Sequence, residues 1–171
     1  HMKPSKTYST HMSTLLAALQ ATDGKVIEFG GGPSSTPLLH WVCKASRRKL
    51  LTYESHPKYY EYEHTFTSPL HKIQLVENWN ETVVEPAGVV FIDHHPSGRR
   101  HIDAIRFKDI ADLVVVHDTE RDDDNYRNRE IWPHFKYRFD FKECRPWTTI
   151  LSNKIDLSDF NERYEAIGKK L

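Results

Sequence analysis

The sequence is poor in cysteine, has no excess of either charge and contains no long hydrophobic run. Of its two cysteines, Cys43 falls in an apolar helical pattern, so the sequence predicts free thiols and no disulfide framework. The apolar stretches all fall well short of the roughly 20 residues of a transmembrane helix, so we expect no membrane span. No segment has the pattern of a signal peptide, and the expected location is the cytoplasm.

The charge balance is neutral, with 24 basic and 24 acidic residues among 171. Such a balance lacks the basic field typical of nucleic-acid-binding proteins, so a nucleic-acid partner is not indicated. The length suits one domain that is large enough to bury its own core. We therefore expect a single domain over residues 1–171.

Three of the glycines are consecutive and directly follow an apolar segment. Val26–Phe29 is apolar apart from Glu28, as is typical of a buried parallel strand. Gly30–Gly32 allow a sharp turn and a close approach of the backbone to a ligand, because no Cβ stands in the way. Ser34 and Ser35 then suit the beginning of a helix. The sequence therefore predicts a strand, a ligand-binding turn and a helix, in that order.

A second acid follows the next apolar segment. Glu54 comes after the predicted strand at 49–53, where a carboxylate can accept hydrogen bonds from ribose hydroxyls. Dinucleotide-binding folds use the same device, but the sixth position of their G-x-G-x-x-G pattern, counted from Gly30, is Ser35 here. A nicotinamide-dependent oxidoreductase is therefore an alternative with weaker support. A non-catalytic nucleotide-binding module is a further alternative.

The segment Glu28-Phe29-Gly30-Gly31-Gly32 resembles the acid-x-Gly-x-Gly signature of class I S-adenosylmethionine-dependent methyltransferases. That family has further acids after its second and fourth strands, where this chain has Glu54 and Asp93. The resemblance implies methyl transfer from S-adenosylmethionine to an oxygen or nitrogen of an unidentified acceptor. It also implies a cofactor site in the glycine turn and at the strand ends, for which we predict Glu28, Phe29, Gly30, Gly31, Gly32, Ser34, Ser35, Glu54, Ser55, His56, Asn78, Trp79 and Asp93.

The apolar pattern along the chain predicts an α/β fold. We expect strands at 26–29, 49–53, 73–76, 89–92 and 113–116, helices at 8–21, 35–46, 57–64 and 100–110, a hairpin of 137–141 with 148–151, and a final helix at 158–171. This order predicts a doubly wound, Rossmann-like, mostly parallel sheet that ends in an antiparallel hairpin. The resemblance implies the seven-stranded sheet of methyltransferases. Little sequence remains for a substrate-binding cap, so the acceptor is exposed or a second subunit of a homo-oligomer completes the site.

Histidines and acids also follow the fourth and fifth predicted strands, as Asp93-His94-His95 and His117-Asp118. These strands are neighbours in the expected topology, so their ends meet in one crevice. We predict His117, His94 and Asp93 as catalytic residues. Three interpretations remain open: a general base, with His117 favoured over His94; a Mg²⁺ ion bound by Asp93 and Asp118; and a purely structural role, in which Asp118 caps a helix.

The magnesium interpretation also rests on a resemblance. Metal-dependent small-molecule O-methyltransferases, which this part of the chain partly resembles, bind Mg²⁺ with acids after strands four and five. Those enzymes usually have Asn after the second acid, whereas Asp118 is followed by Thr119.

Overall fold

The computed structural model of the protein describes residues 7–160. In that range the strands are β1 (Val26–Phe29), β2 (Leu50–Glu54), β3 (His71–Leu75), β4 (Ala87–Ile92), β5 (Ala111–His117), β6 (Tyr137–Phe141) and β7 (Thr148–Ser152). The α-helices are α1 (Met12–Gln20), α2 (Ser35–Ala45), α3 (Pro57–His64) and α4 (Arg100–Arg106). Short 3₁₀ turns lie at Thr7–Ser9, Trp79–Glu81, Ser97–Arg99, Asn128–Glu130 and Trp132–His134.

The strands form one seven-stranded sheet with the order β3-β2-β1-β4-β5-β7-β6. The pairs among β1 to β5 are parallel, whereas β7 is antiparallel to both β5 and β6. The predicted doubly wound sheet with a terminal antiparallel hairpin is therefore confirmed. The strand order reverses between β1 and β4, which opens a crevice beyond the carboxyl ends of these two strands.

Helices cover both faces of the sheet because its central strands are apolar on both sides. Val26 of β1 packs into a cluster with Leu15 of α1 and Leu39 of α2. The next residue, Ile27, faces the opposite layer and packs into a cluster that includes Phe107, just beyond α4. Adjacent residues of one strand thus pack into two separate cores, one on each face of the sheet.

The observed elements differ from the predicted ones mainly at their ends. The third strand begins earlier than predicted, since His71 pairs with Leu50 and is itself buried. The helix predicted at 100–110 ends at Arg106, because the chain turns through Phe107 to enter β5. The helix predicted at 158–171 lies largely outside the described residues. No helix in the described part of the chain is both long and apolar enough to cross a membrane.

Candidate active site

A cavity of about 770 Å³ lies at the carboxyl ends of the parallel strands. Its wall includes residues at or just beyond the ends of four strands: Gly30 after β1, Glu54 of β2, Asp93 after β4 and His117 of β5. Open α/β sheets bind their ligands at this place, beside the reversal of strand order. The location of the cavity alone therefore marks it as the candidate site.

The glycine turn forms one side of the cavity and is closely packed at its first two positions. Gly30 has a φ of +80°, and a Cβ atom there would overlap the backbone of Asp93 and His94. A Cβ atom on Gly31 would overlap the carboxyl group of Glu63 behind the turn. Glycine is thus required at position 30, by its positive φ and by the close approach of the backbone after β4.

Glu28 lies beneath the glycine turn and does not line the cavity, contrary to its predicted contact with the cofactor. Its carboxylate is completely buried and accepts hydrogen bonds from Thr52 Oγ1 at 2.7 Å and Thr36 Oγ1 at 3.1 Å. Thr36 Oγ1 in turn accepts a hydrogen bond from the Gly32 backbone N–H at 3.0 Å. Burial raises the pKa of Glu28 to about 7. Glu28 therefore braces the turn from below.

Glu54 braces the same turn from the side of β2. Its Oε2 accepts a hydrogen bond from the Gly31 backbone N–H at 3.2 Å, and its Oε1 accepts from Ser55 and His56 at 2.7 and 2.6 Å. Burial raises the pKa of Glu54, although these three backbone donors oppose the shift. The remaining acceptor capacity of Oε2 suits a ribose hydroxyl.

The structure brings together most of the predicted cofactor-binding residues in this cavity. Those that line it are Gly30, Gly31, Gly32, Ser34, Ser35, Glu54, Ser55, His56 and Asp93. Three others lie elsewhere. Phe29 is fully buried in the core, exposed Asn78 accepts a hydrogen bond from Asn80 N–H, and Trp79 Nε1 donates to the His95 carbonyl. Trp79 thus packs behind His94 and His95, which line the cavity, and does not itself face the cavity.

His94 lines the cavity but is held from behind. Its Nε2 donates to Asp103 Oδ2 at 2.9 Å, and Asp103 also accepts from Arg99 and Arg106. The ring packs against Trp79 with 4.2 Å between centroids. Burial lowers the pKa of His94, although Asp103 opposes this shift. The imidazole is therefore a fixed, neutral part of the wall.

His117 bridges a hydroxyl group and a carboxylate. Its Nε2 lies 3.0 Å from Thr10 Oγ1, and its Nδ1 lies 3.2 Å from Asp93 Oδ1. Burial lowers the pKa of His117, but the nearby carboxylates of Asp93 and Asp118 outweigh burial and raise it overall. The pKa of Asp93 shifts the other way: burial raises it, and the charges of His117 and Arg100 bring it below its ordinary value. The two side chains therefore stabilise each other's charged form.

Arg100 lies between the two carboxylates that were predicted to bind magnesium. Its guanidinium is 3.0 Å from Asp93 Oδ1 and 2.8 Å from Asp118 Oδ2, and the side chain is 8% exposed. A fixed cation thus takes the place that Mg²⁺ would need, so the Asp93–Asp118 magnesium interpretation is not supported. The helix-cap interpretation of Asp118 is wrong, because a loop and no helix follows this residue.

Several residues of the cavity wall were not predicted from the sequence, among them Tyr8, His11, Arg100, Arg121 and Tyr126. His11 lies just before α1 and is 2% exposed. Burial lowers the pKa of His11 to about 4, so its imidazole is neutral at pH 7. Its sequence neighbours give no sign of a site, because only the packing of α1 against β4 and β5 brings it near Asp93.

No family model matches the sequence, and no curated protein matches it. Solved structures do share its fold. An O-methyltransferase from Bacillus cereus in complex with S-adenosylhomocysteine has a TM-score of 0.60 and 11% identity, covering 87% of this chain and 81% of that chain. TomG, an O-methyltransferase from Streptomyces achromogenes in complex with S-adenosylmethionine, has a TM-score of 0.55 and 16% identity. The match covers 81% of this chain and 76% of that chain.

A third similar structure is the hMettl16 catalytic domain in complex with MAT2A 3′UTR hairpin 1. It has a TM-score of 0.65 and 10% identity, covering 91% of this chain and 73% of that chain. All three proteins share the sheet and the flanking helices at identities that establish fold alone. The chain therefore has the fold of the class I S-adenosylmethionine-dependent methyltransferases.

Proposed function

We propose that the protein transfers a methyl group from S-adenosylmethionine to an oxygen or nitrogen atom of an acceptor. The observation that carries this proposal is the cavity beside the reversal of strand order between β1 and β4. The glycine turn and the Glu54 carboxylate face the same space there. A doubly wound fold without this turn would support only a general nucleotide-binding role.

The donor side of the cavity is formed by the turn and the end of β2. Gly30 and Gly31 bring backbone atoms close to a ligand, and Glu54 offers Oε2 to the ribose hydroxyls. Glu28 supports this arrangement through Thr36 without contacting the ligand. The sulfonium makes the methyl group electrophilic, so the protein has mainly to align donor and acceptor.

The acceptor side is the part of the cavity lined by Asp93, His117 and His11. We assign Asp93 and His117 as the catalytic residues that contact the reacting group of the acceptor. His94 has its Nε2 engaged with Asp103, and we assign it a positioning role in the wall behind them. Both cysteines in the described residues are free thiols, which fits the expected cytoplasmic location.

Calorimetric titration with S-adenosylhomocysteine, S-adenosylmethionine and NAD tests the proposal. We expect one binding site per chain for the two adenosyl ligands and at least tenfold weaker binding of NAD. Tight binding of NAD without binding of S-adenosylhomocysteine would instead support the oxidoreductase alternative.

A further inference from the structure

Three side chains at the inner end of the cavity have the composition of a transition-metal site. His11, Asp93 and His117 each bring one potential ligand atom to within 4.8 Å of the other two. His11 and His117 are 2% and 3% exposed, and all three residues line the cavity. His11 lies just before α1, Asp93 lies in the loop after β4, and His117 is the last residue of β5. Only the folded chain therefore brings them together.

The hydrogen bonds around His117 determine which of its nitrogens carries a proton. Thr10 Oγ1 donates its single proton to the Pro146 carbonyl oxygen at 2.8 Å. The same hydroxyl can therefore only accept from His117 Nε2, which lies 3.0 Å away and must bear a hydrogen. Metal-binding histidines typically have their second nitrogen fixed by such a donated hydrogen bond. Nδ1 is then the nitrogen available to a metal.

The contact between His117 Nδ1 and Asp93 Oδ1 requires a positive charge between them. The two atoms are 3.2 Å apart, and two lone pairs facing each other at that distance would repel. Either a proton or a metal ion must lie there. A separation of roughly 3 Å is also that of two ligands that share an ion at 2.0–2.2 Å. The geometry of this pair therefore fits both cations.

His11 distinguishes between the two cations. Both of its ring nitrogens are buried and have no hydrogen-bond partner among the described residues. The ring packs against His117 with 4.8 Å between centroids, so its nitrogens lie beside the Asp93–His117 pair. A proton on His117 leaves His11 unsatisfied, which is costly for a buried polar group. A metal ion satisfies one of the nitrogens.

The nearby charges and the donor set indicate the class of ion. With His117 neutral, the carboxylates of Asp93 and Asp118 carry two negative charges against one positive charge on Arg100, so a cation that replaces the His117 proton meets a net negative charge. Two imidazoles and one carboxylate suit Zn²⁺, Co²⁺, Fe²⁺ or Ni²⁺, whereas Mg²⁺ and Ca²⁺ prefer oxygen ligands alone. This set differs from the Asp93–Asp118 pair in ligands and in ion.

We propose that His11, Asp93 and His117 bind a divalent transition-metal ion, with Thr10 fixing the His117 tautomer. Since ligands around Zn²⁺ lie roughly 3.3 Å apart, the three side chains must move together by up to about 1.5 Å from their 4.8 Å span. Binding of the ion is independent of the proposed function. Its use rests on that function: the bound ion would act as a Lewis acid on the acceptor oxygen and lower its pKa.

The test is a Co²⁺ titration of the full chain after dialysis against a chelator, followed by visible absorption. We expect one Co²⁺ per chain, with ligand-field bands of a site that contains nitrogen ligands. His11→Phe keeps the ring contacts but removes both nitrogens, and it should weaken binding at least 100-fold. His95→Phe removes an exposed histidine from the same cavity and should leave Co²⁺ binding unchanged.

His11→Cys gives a direct signature, because a thiolate ligand adds a charge-transfer band that the wild type and His11→Phe lack. The proposal is overturned if the wild type binds no Co²⁺ or if His11→Phe binds it as tightly as the wild type. Titration of the same samples with S-adenosylhomocysteine separates the two proposals. If the protein binds S-adenosylhomocysteine but not Co²⁺, only the metal-site proposal is wrong. If it binds Co²⁺ but not S-adenosylhomocysteine, only the methyltransferase proposal is wrong.

Discussion

His117 Nδ1 lies 3.2 Å from Asp93 Oδ1, and this contact joins the ends of two neighbouring parallel strands. Thr10 contacts this pair through His117 Nε2, and Arg100 contacts it through Asp93 Oδ1. The charge of this pair therefore depends on Arg100 as well as on its two members.

Thr10→Val should weaken Co²⁺ binding by about 10–100-fold, because the hydroxyl that fixes His117 Nε2 is lost. The Kd for S-adenosylhomocysteine should stay within twofold, since Thr10 is not among the residues that line the cavity. Thr65→Val, at an exposed position beyond α3, is the matched control. Equal Co²⁺ affinities in Thr10→Val and the wild type would show that the tautomer of His117 does not depend on this hydroxyl.

Arg100→Met should lower the free energy of unfolding by about 3 kcal/mol, because two partly buried carboxylates lose their shared partner. Mg²⁺ should raise the Tm of this variant by bridging Asp93 and Asp118, and it should leave the wild-type Tm unchanged. Arg121→Met, at an exposed position of the cavity rim, is the control. Stabilisation of the wild type by Mg²⁺ would instead restore the original magnesium interpretation.

Glu63→Gln should change how stability depends on pH. Burial, with Glu28 and Glu54 nearby, raises the pKa of Glu63 to about 10 from a value of 4.5 in the unfolded chain. The folded state therefore keeps the proton while the unfolded state releases it, so the wild type loses stability as the pH rises from 4.5 towards 10. Glu63→Gln has no carboxyl group at this position, so its stability does not fall for this reason as the pH rises.

We expect Glu63→Gln to gain on the order of 2 kcal/mol at pH 8 and nothing at pH 4. Urea denaturation at both pH values measures the difference. Glu61→Gln changes an exposed residue of the same helix. Its free energy of unfolding should change with pH as that of the wild type does. Parallel curves for Glu63→Gln and the wild type would mean that the Glu63 carboxyl is ionised in the folded protein.

Glu54→Ala should weaken the binding of S-adenosylhomocysteine at least tenfold. A lost hydrogen bond to a charged group costs about 1.5–3 kcal/mol, and the alanine also releases the Gly31 backbone N–H. Calorimetry measures the Kd, with Glu61→Ala as the control. A Kd within twofold of the wild type would show that Glu54 does not hold the ribose.

The part of the site that follows the strands could be predicted from the sequence. Gly30, Glu54, Asp93 and His117 each come directly after or at the end of an apolar run, and parallel strands bring their carboxyl ends to one edge of the sheet. This rule fails at Trp79, which follows the outermost parallel strand. There the side chain packs behind His94 instead of facing the cavity.

Other parts of the site depend on tertiary packing and leave no local pattern. His11 reaches the cavity because α1 packs across β4 and β5, and the periodicity of α1 reports only its apolar face. The bridging position of Arg100 depends on how α4 begins beside two strand ends. A sequence pattern identifies the acids, but it does not show that an arginine already lies between them.

The most direct test of whether this cavity binds S-adenosylmethionine is an S-adenosylhomocysteine titration of ¹⁵N-labelled protein, followed through its amide resonances. We expect the amide signals of Gly30, Gly31 and Ser55 to shift together and to saturate at one equivalent, because the turn and the end of β2 form the donor side of the cavity. NAD at the same concentration should leave them in place. Unmoved turn signals at saturation, or equal shifts with NAD, would contradict the assignment of this cavity to S-adenosylmethionine.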